Sequence, residues 1–153
     1  KSSVLELGMG PGKDLLLMET YYKVTGSDAS QIFLDRFRSS HKEADLLCLD
    51  AVTLETDRVF NAIYSNKVMH HLNYESMKKS FNRQAQILEP GGIILHSFWY
   101  GEEVESIEDM EFYQVTELSL QKLLSNQFKI LEMKRYQEME EGDSLYLICE
   151  LQN

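Results

Sequence analysis

Few folds accept the run Val4-Leu5-Glu6-Leu7-Gly8-Met9-Gly10-Pro11-Gly12-Lys13-Asp14. An apolar stretch of strand length stops at glycines on alternate positions, and a helix-forming stretch, Leu15-Leu16-Leu17-Met18, follows at once. The order is strand, tight turn, helix. Glycine serves where the backbone takes φ > 0, or where a ligand lies against the chain with no Cβ between them. Three glycines between two ordered elements point to a nucleotide-like ligand over the turn. The spacing is G-x-G-x-G, whereas a dinucleotide turn wants its third glycine at the position held by Lys13.

Two later segments agree with that turn. Lys23-Val24-Thr25-Gly26-Ser27 reads as a second strand and ends in Asp28, twenty residues after Gly8. An acid there can accept hydrogen bonds from both hydroxyls of a ribose. A third strand, Ala44-Asp45-Leu46-Leu47-Cys48-Leu49, ends in Asp50. An ionised Asp is acceptor-only, so Asp50 suits an exocyclic amine of a base. Three successive strands thus end in ligand-competent chemistry on one sheet edge, the edge where open α/β sheets bind ligands.

With these residues in view, the chain resembles the class I S-adenosylmethionine-dependent methyltransferases. The likeness rests on Val4 to Gly12, on Gly26-Ser27-Asp28-Ala29-Ser30 and on Leu49-Asp50-Ala51. It continues through Phe60 to Asn66, Val68-Met69-His70-His71-Leu72 and Leu88-Glu89-Pro90-Gly91-Gly92-Ile93-Ile94-Leu95. It runs from about Val4 to Leu151.

Strand and helix patterns alternate along the chain. Helices are expected over roughly 12–22, 31–40, 74–88 and 116–126, and strands over roughly 3–7, 23–27, 44–49, 60–65, 91–99, 128–136 and 144–151. Asn73 and Thr116 read as N-caps, and Pro90-Gly91-Gly92 as the stop of the third helix. Alternation implies a parallel sheet with helices on both faces. The last two strands have only Glu138 to Asp143 between them, so they form an antiparallel hairpin. The fold class is α/β. The resemblance implies a Rossmann-like, doubly wound, mostly parallel seven-stranded sheet of order 3-2-1-4-5-7-6.

At 153 residues the chain fits a single domain, 1–153. Set beside the resembling family, it is expected to lack helices that precede the first strand. A net charge of −10 with scattered basic residues excludes nucleic acid as a partner. No stretch of eighteen apolar residues occurs, so no membrane span is expected. Cys48 and Cys149 lie in apolar strand-like runs and read as two reduced core thiols, which fits a cytoplasmic location. No metal site is expected among the four histidines.

The resemblance implies S-adenosylmethionine as cofactor and S-adenosylhomocysteine as product. Gly8, Gly10 and Gly12 let the ligand approach the turn. Glu6 either faces the ligand's ammonium group or pins the glycine loop through backbone N–H groups. Asp28, with Ala29 beside it, takes the ribose hydroxyls, unless it caps the next helix. Asp50 and Ala51 read the adenine edge, unless Asp50 caps a loop. Asn66 lies near the methionine part. Asp14 reads as a first-turn helix acid meeting the dipole. His70 is the candidate general base, ahead of His71; both also suit a structural role. Ser97-Phe98-Trp99-Tyr100-Gly101 and the following residues to Tyr113 combine aromatics with six carboxylates, Glu102, Glu103, Glu105, Glu108, Asp109 and Glu111. That mixture suits a small-molecule methyl acceptor bearing an amine, though a solvated acidic loop has the same composition. Two further readings stay open: a methyltransferase-like subunit that binds without turnover, and a nicotinamide-dependent oxidoreductase.

Overall fold

The computed structural model describes all 153 residues, Lys1–Asn153. In chain order they form β1 (Ser3–Glu6), α1 (Lys13–Met18), β2 (Lys23–Asp28), α2 (Gln31–Ser40), β3 (Leu46–Cys48) and β4 (Phe60–Asn66). A short 3-10 helix (Met69–His71) leads into α3 (Tyr74–Gln86) and β5 (Leu88–Trp99). Then come β6 (Val104–Ile107), β7 (Met110–Tyr113), α4 (Glu117–Leu123), β8 (Phe128–Tyr136) and β9 (Ser144–Leu151).

Seven strands join one sheet in the order β3-β2-β1-β4-β5-β9-β8. Pairs up to β4–β5 are parallel, and β9 runs antiparallel to both β5 and β8. This is the expected Rossmann-like order, with the terminal hairpin in place. The chain reverses its direction of progress between β1 and β4. Open α/β sheets leave a crevice at such a point, outside the carboxyl ends of the strands.

Two apolar clusters hold the layers together. The larger has 21 buried residues and packs α3 and α4 on the sheet; the smaller, Met9, Leu15, Val24, Leu34 and Phe37, packs α1 and α2. α3 shows why it folds where it does. Met77, Ser80, Phe81, Gln84 and Ala85 recur at helical spacing and are its buried face. Asn73 Oδ1 accepts from the Ser76 N–H at 2.8 Å and starts the helix. Thr116 and Ser119 form a reciprocal capping box at the head of α4.

A buried polar chain crosses the larger cluster. Ser80 Oγ donates to the Ala51 carbonyl at 2.6 Å, and a carbonyl can only accept. Gln84 Nε2 therefore donates to Ser80 Oγ at 3.1 Å, which turns its carbonyl oxygen toward His96 Nε2 at 2.7 Å. His96 must then carry its proton on Nε2 and accept from Ser65 Oγ at Nδ1, at 2.6 Å. All four side chains have no solvent exposure. Burial pushes the His96 pKa down to about 3 and keeps the ring neutral.

Several expectations need correction. α1 is shorter than 12–22, and Tyr21 and Tyr22, inside that range, lie beyond its end and are exposed. α3 stops at Gln86, before Pro90-Gly91-Gly92. Those three residues lie inside β5, where the pairing with β4 is irregular between Leu88 and Ile93. Cys48 is exposed, while Cys149 is a buried thiol. The acidic stretch after β5 is not a plain loop: β6 and β7 pair as a separate hairpin. No helix is long and apolar enough to cross a membrane.

Candidate functional site

Two adjoining clefts lie at the carboxyl ends of β1, β2 and β4. One, of about 270 Å³, is walled by Glu6, Lys13 and Asp14; the other, of about 360 Å³, by Asp28, Ala29, Leu49, Ala51 and His71. Gly8, Gly10 and Asn66 line both, so the two form one bent trough over the glycine turn.

Glycine is required in the turn for two different reasons. At Gly10, φ is +50° and an added Cβ would meet nothing within 4 Å, so its free side faces open space. At Gly12, φ is +88° and a Cβ would sit 2.4 Å from Phe37 Cε2. Gly12 is not among the residues lining the trough. It stands at the head of α1 and lets that helix close against α2, a packing role rather than the ligand approach expected of it. Gly12→Ala should lower the unfolding free energy by about 1–3 kcal/mol, read from urea denaturation, because it combines backbone strain with a clash.

The turn is anchored by Asp28. Its Oδ2 accepts from the Gly10 N–H at 3.0 Å and its Oδ1 from the Ser30 N–H at 2.9 Å. Each oxygen keeps a lone pair for a further donor. Ser30, not Asp28, is the N-cap residue of α2. Asp50 is exposed and its Oδ1 accepts from the N–H groups of Val52, at 2.7 Å, and Thr53, at 3.2 Å. Its neighbours Leu49 and Ala51 line the trough.

Glu6 is the electrostatic anomaly. Its side chain lines the trough, the residue is only 4% exposed, and Oε2 is buried with no hydrogen-bond partner. No backbone N–H of the glycine loop reaches this carboxylate; Asp28 does that pinning instead. Burial, reinforced by the Asp14 and Asp28 carboxylates, raises the Glu6 pKa to about 8. A buried acid without a donor is costly. A cationic or N–H-rich ligand group in the trough would satisfy it.

Opposite Glu6, Asp14 Oδ2 accepts from Tyr64 Oη at 2.8 Å. Asn66 Oδ1 accepts from Ser97 Oγ at 2.6 Å, and Ser97 Oγ also accepts from the Lys67 N–H at 3.0 Å. Lys67 has φ +54°, uncommon for a non-glycine residue and a mark of a constrained site. Its Nζ lies 3.1 Å from the centre of the Trp99 ring, donates to Ser144 Oγ at 2.8 Å and pairs with Glu138.

The two histidines separate. His71 lines the trough, whereas His70 is buried and lines none of its walls. Their Nε2 atoms are 3.1 Å apart, and Phe112 packs on both rings. Burial, with the neighbouring His71 and Lys67, lowers the His70 pKa to about 3, and its Nδ1 has no partner. Of the residues named from sequence, Glu6, Gly8, Gly10, Asp28, Ala29, Ala51 and Asn66 come together at the trough. Lys67 was missed, and Asp14, read from sequence as the first-turn helix acid that it is, also walls the trough and accepts from Tyr64. Asp14 carried a legible signal, since first-turn side chains lean back toward the helix start and so toward this edge.

Comparison with known proteins agrees with this geometry. A family model described as a methyltransferase domain matches residues 4–92. Among solved structures, the chain is similar to an S-adenosylmethionine-dependent methyltransferase from Clostridium acetobutylicum ATCC 824. Identity is 17%, TM-score 0.81, and the match covers 99% of this chain and 84% of that one. It is similar to 1,6-didemethyltoxoflavin-N1-methyltransferase of Burkholderia thailandensis, solved with 1,6-didemethyltoxoflavin and S-adenosylhomocysteine; identity is 19%, TM-score 0.83, coverage 99% and 72%. It is also similar to the N-methyltransferase NodS of Bradyrhizobium japonicum WM9 in complex with S-adenosylhomocysteine; identity is 17%, TM-score 0.78, coverage 99% and 79%. No curated protein matches the chain. A match over more than half its length, on the strand order and glycine turn described above, shows that the chain belongs to the methyltransferase domain family, the class I S-adenosylmethionine-dependent group its motifs resemble.

Proposed function

We propose that residues 1–153 form one methyltransferase domain that binds S-adenosylmethionine in the trough and methylates a small molecule. The observation that carries this reading is the buried, unpartnered Glu6 carboxylate beside the open face of Gly10. When bound, S-adenosylmethionine supplies a methyl group already activated on a sulfonium, and the product is S-adenosylhomocysteine. The solved relatives named above include one described with bound 1,6-didemethyltoxoflavin and one described as an N-methyltransferase, which supports a small acceptor.

The chain's own residues then have simple tasks. Glu6 holds the ammonium end of the amino-acid tail. Gly8 and Gly10 give the tail room, and Asn66 orients it from the end of β4. Asp28 takes the ribose hydroxyls with the lone pairs its loop bonds leave free, with Ala29 as floor. Asp50 and Ala51 meet the adenine edge, Ala51 being fixed by its bond from Ser80. Catalysis here is alignment and exclusion of water rather than a protein nucleophile. Where the acceptor must lose a proton, His71 is the imidazole at the wall; in the tautomer whose Nε2–H donates to His70 Nε2, its Nδ1 is the unprotonated nitrogen that accepts. His70, expected as the base, is better explained as the buried partner that orients His71. Two unpaired cysteines fit a reducing, cytoplasmic setting.

Titration calorimetry with S-adenosylhomocysteine tests binding, and a labelled-methyl screen over amines, carboxylic acids and phenols tests turnover. Asp28→Ala should weaken S-adenosylhomocysteine by about 1–3 kcal/mol. Parent-like affinity in that variant would refute the ribose assignment. Binding without turnover would reduce the domain to a cofactor-holding subunit, and NADPH binding in its place would make it an oxidoreductase.

A further inference from the structure

A cleft more spacious than the trough lies beside it. This cleft, of about 770 Å³, lies between the β6–β7 hairpin and the turn joining β8 to β9 and is of a size usual for small-molecule sites. We infer that this cleft is the acceptor pocket, and that it recognises an acceptor carrying a protonated amine on a flat apolar body. The inference rests on the methyl-transfer reading above and adds the ligand class and the residues that select it.

Position is the first argument. Trp99 forms one wall, and the same ring lies under Lys67 Nζ, while Lys67 lines the cofactor trough. Phe112 forms another wall, and its ring centre is 5.1 Å from that of His71, which also lines the trough. At each of two points the two cavities are therefore separated by one pair of touching side chains, Lys67 with Trp99 and His71 with Phe112. A molecule seated in the cleft needs little reach to meet the trough beside His71.

Chemistry is the second argument. Tyr100, Ile107 and Met139 complete an apolar and aromatic lining with Trp99 and Phe112. Four carboxylates, Glu105, Glu140, Glu141 and Asp143, face one guanidinium, Arg135. Arg135 is already engaged. Its guanidinium lies 3.7 Å from the centre of the Tyr100 ring, it donates to the Gly142 carbonyl at 3.0 Å, and no carboxylate pairs with it. Asp143 is engaged too. It accepts from the N–H groups of Glu138, Met139 and Glu140, each at 2.9 Å, and these bonds hold its carboxyl well below the usual range. Glu140 and Glu141 accept no side-chain hydrogen bond, and Glu105 accepts only from Gln114, at 3.1 Å. Two carboxylates without a donor, Glu140 and Glu141, and a third with a single donor, Glu105, beside aromatic side chains favour a cation and repel an anion.

Trp99 is the only tryptophan and lines this cleft, so its fluorescence reports on binding there, and the titration with saturating S-adenosylhomocysteine accounts for any signal passed through Lys67. Phenethylamine, phenethyl alcohol and phenylacetate share a ring and differ in charge. Titrated into the whole protein, with and without saturating S-adenosylhomocysteine, phenethylamine should change Trp99 emission saturably. It should bind about tenfold or more tighter than the other two. The triple variant Glu105→Gln, Glu140→Gln, Glu141→Gln alters only exposed side chains and should melt like the parent. In it, phenethylamine should weaken about tenfold while phenethyl alcohol is unchanged. Phenylacetate binding as tightly as the amine, no amine binding in protein that binds S-adenosylhomocysteine, or an unaffected triple variant would each overturn the inference. Amine binding in protein with no affinity for S-adenosylhomocysteine would overturn the acceptor role and the methyl-transfer reading together, leaving a bare cation site.

Discussion

Glu6→Gln should stabilise the ligand-free protein at and above neutral pH and, in the same molecule, abolish most of its affinity for S-adenosylhomocysteine. The two effects have one origin. The Glu6 pKa is about 8 in the folded protein, against an ordinary value of 4.5. Between those values the folded state holds a proton that the unfolded chain has released. Its contribution to stability is complete below pH 4.5 and is lost as pH rises through 8. The slope approaches about 1.4 kcal/mol per pH unit at its steepest, so the window carries a few kcal/mol. Glutamine does not titrate. His70 and His96 have lowered folded pKa values and contribute the opposite slope below their ordinary 6.5. They are common to both proteins, so the difference between parent and variant isolates Glu6. That difference, from urea denaturation at several pH values, should fall steadily from pH 5 to 8 in favour of the variant. A flat difference would mean the carboxylate is not buried as described. Ligand binding reads the same group from the other side. An ammonium group drawn against Glu6 takes its proton off, so calorimetry near pH 7 should show proton release in buffers of different ionisation enthalpy. Glu6→Gln should abolish that release and lose about 3 kcal/mol of affinity, the lower end for breaking a buried charge pair.

His96→Phe should lower the unfolding free energy by about 2–5 kcal/mol, although no ligand is near it. The ring would still fill the space beside Phe81 and Phe98. Its loss strands two buried groups, Ser65 Oγ and Gln84 Oε1, each worth about 1–3 kcal/mol when unsatisfied. Adding Gln84→Leu should cost less than its single-variant value, because its partner is already gone. Strict additivity of the two, measured by denaturation, would mean that the polar chain is not a unit.

The topology was legible because each signal was local. A glycine-broken turn, alternating patterns and a polar link between two closing strands give the elements and the closing hairpin, while the order of the seven strands is what the family resemblance implied and the sheet bears out. The β6–β7 hairpin was not legible. Every residue of Val104–Ile107 is exposed, so no face is apolar and no alternation shows. Its two-residue turn, Glu108-Asp109, has φ of +48° and +66°, a conformation usually announced by Asn-Gly rather than by two acids. In the site, Glu6 and Asp28 were legible because chemistry and strand ends coincide. The choice between His70 and His71 was not, since adjacent residues in a 3-10 turn face different ways and only the tertiary fold leaves His70 buried and His71 at the trough wall. Lys67 was invisible for a similar reason: its partners Trp99, Glu138 and Ser144 are distant in sequence.

The unequal division of apolar residues across the sheet has a bearing on how this domain lives between encounters with its ligand. The flank carrying the glycine turn rests on five buried side chains and a six-residue helix too brief to persist unaided. The opposite flank has a cluster four times as populous by the same measure, 21 against five. Breathing motions will therefore begin on the cofactor's side, and whatever occupies the trough acts as a missing piece of that thinner wall, tightening half the molecule each time it arrives.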